Sequence, residues 1–92
     1  MTNSYGLQKV PVGAVETGDR VFQSHDGIEV LMRVKGKTLG WKGQETYYEL
    51  SGTVAARRAG ESTWINVGSQ RWKYPDYDLI DKVVPYFRRN AA

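Results

Sequence analysis

Glu16-Thr17-Gly18-Asp19-Arg20-Val21-Phe22-Gln23-Ser24-His25-Asp26-Gly27-Ile28-Glu29-Val30-Leu31-Met32-Arg33-Val34 is the stretch that decides the fold class. It reads as turn, strand, tight turn, strand. Asp26-Gly27 is a strong hairpin signal, because glycine accepts the positive φ that two-residue turns require. Arg20 to Ser24 form the first strand expected here and Ile28 to Lys35 the second. In the second, Ile28, Val30, Met32 and Val34 alternate with Glu29, Leu31, Arg33 and Lys35. That period of two, broken only by Leu31, aims one face at a core.

Outward from this hairpin, residues 1–9 are polar and read as a loose end, with Val10-Pro11-Val12 as an extended lead-in. Residues 36–44 hold Gly36, Gly40 and Gly43 and read as a mobile loop, since glycine is costly to order. Thr46-Tyr47-Tyr48-Glu49-Leu50 has the β-branched and aromatic content of a strand. Gly52 suggests a bulge or bend within it, and Thr53 to Arg57 continue it. Ser62 to Val67 read as a further strand that breaks at Gly68-Ser69. From Tyr77 onward a helical stripe (Leu79, Ile80, Val83, Val84, Phe87) competes with a strand. Pro85 removes a helix hydrogen bond and pushes Val84 out of the α region, so a strand over 79–84 is preferred. A short C-terminal helix is the alternative, and residues 86–92 read as a second flexible end. The expected architecture is mainly β: a small SH3-like barrel or a strongly bent antiparallel sheet of four to six strands.

The chain has 92 residues, which supports one domain over 1–92 and one modest core. It contains no cysteine, which removes disulfides, thiol nucleophiles and cysteine-ligated zinc together. No apolar run approaches the roughly 18–20 residues of a membrane span. Met1-Thr2-Asn3-Ser4-Tyr5-Gly6 has neither the basic nor the apolar region of a secretory signal, so a cytoplasmic module without membrane contact is expected. The net charge is +3. Acids and bases balance over the first fifty residues, so the excess lies in the second half.

Catalytic readings fail on inventory. His25 is the only histidine and lies in the hairpin turn Ser24-His25-Asp26-Gly27. Consecutive turn residues point apart and do not converge as a Ser-His-Asp system must. Asp76, Asp78 and Asp81 have the oxygen ligands of a hard-cation site but lack the glycine and glutamate of a calcium loop, so turn and capping roles are preferred. Glu29, Glu45 and Glu49 are the candidates for paired carboxylates, and solvated strand positions are the simpler reading. Gly36-Lys37-Thr38 lacks the upstream glycine of a phosphate loop. No enzyme, metal or cofactor is expected.

Binding is better represented. Arg33, Lys35, Lys37 and Lys42 run toward Trp41 without an acid between them, Arg71-Trp72-Lys73-Tyr74 alternates cation and ring, and Phe87-Arg88-Arg89 repeats the theme. Cations neutralise phosphates and rings stack on unpaired bases. Trp, Tyr and Arg also dominate protein-binding hot spots. Trp64, beside Ile65 and Val67, reads as core. A pocket at a barrel mouth lined by Tyr47, Tyr48 and Trp64 is a third reading.

Gly18-Asp19-Arg20-Val21 followed by Asp26-Gly27 resembles the opening hairpin of KOW-type and other SH3-like barrels. That resemblance covers the first hairpin alone, and the later glycines of the KOW pattern have no equivalents here. It implies a small barrel that binds RNA or protein. Self-splicing Hint domains open similarly but need a Cys or Ser nucleophile and a terminal His-Asn, a pair not found in this chain. In its short, motif-free character the chain is also similar to accessory proteins of bacteriophages and plasmids.

The expected function is a non-catalytic module that binds nucleic acid through Arg33, Lys35, Lys37, Trp41, Lys42, Arg71, Trp72 and Lys73. The alternative is a protein-interaction or inhibitor module, with an acidic protein partner or a strand added at an open sheet edge. A monomer or an edge-paired homodimer fits either reading, with Lys35 and Arg57 expected to blunt the edge. The nucleic-acid reading loses most of its support if the two basic–aromatic clusters point apart.

Overall fold

The computed structural model describes residues 4–86. They form six strands: β1 (Ser4–Pro11), β2 (Arg20–His25), β3 (Ile28–Lys42), β4 (Glu45–Arg58), β5 (Ile65–Pro75) and β6 (Leu79–Tyr86). A single 3₁₀ turn, Val12–Ala14, follows β1. All six strands belong to one antiparallel sheet in the order β1-β6-β2-β3-β4-β5, and the sheet does not close. No helix among the described residues is long and apolar enough to cross a membrane.

The hairpin that decides the class is present as expected. Asp26 and Gly27 both have positive φ, 51° and 77°, as a two-residue turn of this hand demands. Other segments differ from the expectation. Residues 4–11 are not loose: they pair along their whole length with β6. The expected loop over 36–44 is mostly strand, with Gly36 to Lys42 continuing β3 against β4. Ladder pairing with an aromatic-rich partner outweighs the entropic cost of the glycines. Tyr47 lies over Gly40, and Gly43 supplies the turn at φ 64°. The expected break at Gly68-Ser69 is instead a bulge: Val54 pairs with Gly68 and Ala55 with Asn66, so Val67 is skipped and β5 runs on. Residues 79–86 are strand rather than helix. Pro85 is tolerated there opposite Tyr5 of the outermost strand. Phe87, Arg88 and Arg89, with the rest of the expected C-terminal tail, lie outside the described residues.

The chain connectivity forces curvature. From β5 to β6 in a flat sheet is four strand spacings, about 19 Å. The four Cα steps from Pro75 to Leu79 reach only about 14 Å. The sheet must therefore curl, and a side-chain contact records it. Gln23 of β2 donates to the Tyr74 hydroxyl of β5, across a concavity that β3 and β4 line. The result is an open, strongly bent sheet rather than a closed barrel. Its concave side holds the core: Val21, Met32, Val34, Leu50, Val54 and Ile80 from the strands, with Val12 and Val15 from the 3₁₀ turn and its exit. The backbone N–H of Val12 donates to the Asp78 carbonyl at 3.0 Å, fastening that turn over one end.

Candidate nucleic-acid interface

Side chains directly opposite each other across an antiparallel pair share a face, so the register assigns every strand residue to the concave or the outer side. β3 changes phase once, at a bulge between Val34 and Gly36. Lys35 is the extra residue there, exposed and without a register partner. Gly52 lies opposite Val34, and a Cβ at that position would overlap the Arg33 carbonyl oxygen. The bulge suggested by Gly52 thus exists, but it sits on the partner strand.

The two basic–aromatic clusters do not each occupy one face. Lys37 pairs with the buried Leu50 and lies on the concave side. Its ammonium donates to the Gly13 carbonyl at 2.7 Å and sits 5.4 Å from the Tyr48 ring centre. Trp41 belongs to the same side but stands beyond the end of the core, 68% exposed. Trp72 pairs with Leu50, packs against the core and donates its indole N–H to Gln70 at 2.9 Å. The two indoles therefore lie on the opposite side of the sheet from Arg33, Arg71 and Lys73. Alternation in a strand sends adjacent ring and cation to opposite sides.

The cations themselves gather on the outer side. Arg33 is opposite Arg20 on β2 and Thr53 on β4, and Thr53 is opposite Ser69 on β5. In the next row Gly36 faces Ser51, and Ser51 faces Arg71. Lys73 follows, its ammonium 4.6 Å from the Tyr47 ring centre, and Lys42 is opposite Glu45 near the tip. Two exposed arginines, Arg33 and Arg71, thus flank a floor of glycine and hydroxyl side chains. Neither forms an ion pair among the described residues. A shallow depression of about 150 Å³ lies beside Arg33, bounded also by Arg20, Thr53 and Asn66 among others. Arg20 is the member of this field that the charge runs in sequence did not single out. Its only signal is its strand parity, which becomes informative once the β2–β3 register is known.

The groups weighed for catalysis have other neighbours. His25 is exposed and its Nε2 lies 3.1 Å from the Asp26 carboxylate within the turn. Glu29 accepts from Arg57 at 2.7 Å, Glu45 is opposite Lys42, and Glu49 is opposite Lys73. The three glutamates thus face cations rather than one another. Asp76 accepts from the Thr46 hydroxyl, Asp81 pairs with Lys9 at 3.1 Å, and no metal-holding cluster occurs among the described residues. Tyr47 and Tyr48 are sequence neighbours on opposite faces of β4, so they do not line one surface together with Trp64. Trp64 lies before β5 rather than in a strand and is half-buried, its ring stacked on the Arg57 guanidinium at 4.3 Å. A groove of about 710 Å³ opens at the tip instead, between Trp41, Tyr47, Pro75 and Tyr77. Among the described residues, Tyr74 alone carries a clear pKa displacement. Burial raises its phenol, the Gln23 hydrogen bond opposes that rise, and the nearby Asp78 charge adds to it.

The chain matches no family model, no curated protein and no solved structure.

Proposed function

We propose that this protein is a non-catalytic module that binds nucleic acid by its sugar–phosphate backbone, through the outer face of the sheet. The observation that carries the reading is the pair Arg33 and Arg71, exposed and without ion-pair partners among the described residues, above the small polar floor of Gly36, Ser51, Thr53 and Ser69. A floor of short side chains lets a phosphate approach the sheet, and guanidinium groups bind phosphate in a bidentate manner. Base stacking is not part of the proposal, since Trp41 and Trp72 belong to the other side. Binding is then weakly dependent on sequence and strongly dependent on salt.

The test is fluorescence anisotropy with labelled single- and double-stranded oligonucleotides over a salt series. Affinity should fall log-linearly with salt. Arg33→Gln and Arg71→Gln should each weaken binding uniformly across sequences and reduce the slope by about one. Trp41→Ala should leave both unchanged. Binding that ignores salt, or that survives the double arginine variant but not Trp41→Ala, overturns the reading.

A further inference from the structure

β5 ends the sheet on one side. Ten of its 11 residues pair with β4, and among the described residues no other strand pairs with its second edge. An uncovered edge presents a row of backbone donors and acceptors, a template for an added strand. The edges are β1 and β5; Lys35 and Arg57, expected to blunt an edge, lie on the interior strands β3 and β4. Proline, the residue that most directly blocks strand addition, occurs in β5 only at its last position, Pro75.

The two sides of this edge differ in chemistry. Arg71 and Lys73 point to the outer face, and β5 contains no carboxylate. Trp72 and Tyr74, half-buried, face the concave side at its rim. Ile65 and Val67 are largely exposed at the far end. Charge selects among the occupants. Two β5 strands paired together would add cations to cations. The β1 edge of a second copy would bring Lys9 as its only charged residue, already paired with Asp81. The segments Met1-Thr2-Asn3 and Phe87 to Ala92 contain no acidic side chain either.

We propose that the free edge of β5 binds an extended acidic segment of another protein by strand addition. Carboxylates at alternate positions of that segment lie beside Arg71 and Lys73. Apolar side chains at the intervening positions cover the rim formed by Trp72 and Tyr74. This inference goes beyond the nucleic-acid reading and does not need it: backbone hydrogen bonds supply the contact, and Arg33 has no part in it.

The experiment uses the full chain and three labelled eight-residue peptides. One alternates Glu with Val, one alternates Lys with Val, and one has the first composition with the four Glu residues in a block. Anisotropy reads affinity, and amide hydrogen exchange reads which strand is covered. The alternating acidic peptide should bind at least tenfold more tightly than either other peptide and slow exchange along β5 but not β1. Arg71→Glu combined with Lys73→Glu should invert the preference toward the lysine peptide; both positions are exposed, so the fold is retained. Arg33→Gln should leave peptide binding unchanged while weakening oligonucleotide binding, which separates failure of this inference from failure of the nucleic-acid reading. Equal affinity for the acidic and basic peptides overturns the proposal. So does protection at β1, or β5 protected by self-association of the free protein.

Discussion

β4 and β5 lie side by side, nearly equal in length, yet they behave as opposites. β4 has a neighbour on each side and contributes Leu50 and Val54 to the core. β5 has one neighbour, and along it only Trp72 and Tyr74 are half-buried rather than exposed. The two differ in what their glycines do. Gly52 of β4 is present because the backbone of β3 comes too close for any side chain, just where Lys35 bulges. A Cβ at Gly68 of β5 would meet nothing within 4 Å; glycine is present there because φ is 94°. An interior strand is constrained by packing, and an edge strand by its own backbone. Stability therefore concentrates in β4 rather than in β5.

The largest effect that would contradict this division comes from the glycines. Gly52→Ala places a methyl into the Arg33 carbonyl, and the backbone on both sides must shift. A cost of about 3 kcal/mol or more is expected, which for a domain of this size lowers the thermal midpoint by at least about 12 °C. Gly68→Ala meets only backbone strain, about 1–2 kcal/mol. Melting curves in which Gly68→Ala is the more damaging would reverse the roles assigned to the two strands.

A valine in each strand gives a finer measure. Val54 is 1% exposed and Val67 48%. Val54→Ala should cost about 2 kcal/mol through lost burial and the space left behind. Val67→Ala should stay within about 0.5 kcal/mol. Urea midpoints at constant slope check both, and equal shifts would show that the bulged end of β5 is packed in solution.

The smallest effect is electrostatic. Tyr74 links β5 to β2, and its phenol is held above its ordinary value of about 10 chiefly by burial. The folded state therefore favours the neutral phenol. This contribution is complete below the unfolded pKa and is lost as pH rises through the folded one. As pH rises above about 10 the wild type should lose more thermal stability than Tyr74→Phe, which has no proton to release. Parallel curves for the two proteins would mean that the rim of the curl is open to water.

Alternation over Ile28–Val34 and the Asp-Gly turn made the central hairpin legible, because both are local. The same rules misjudged residues 36–44, where Gly36 and Gly40 signal a loop but Tyr47 and Ser51 on β4 hold them in the ladder. β1 was equally hidden, since its partner β6 lies at the other end of the chain. For the candidate interface, charge runs drew attention to Arg33, Arg71 and Lys73, which do share a face. They also drew in Lys37, Trp41 and Trp72, which do not. Adjacency along a strand is not adjacency in space, and the bulge at Lys35 reverses the parity of everything after it.

Residue order alone established a cysteine-free, cationic, turn-punctuated β-chain with one apolar face, because periodicity and turn chemistry act over a few residues. Which strands became edges, which cations met, and that the sheet curled without closing depended on pairings between distant segments. Those pairings arise from the short β5–β6 connection and from burial of the concave face, neither of which is a local property.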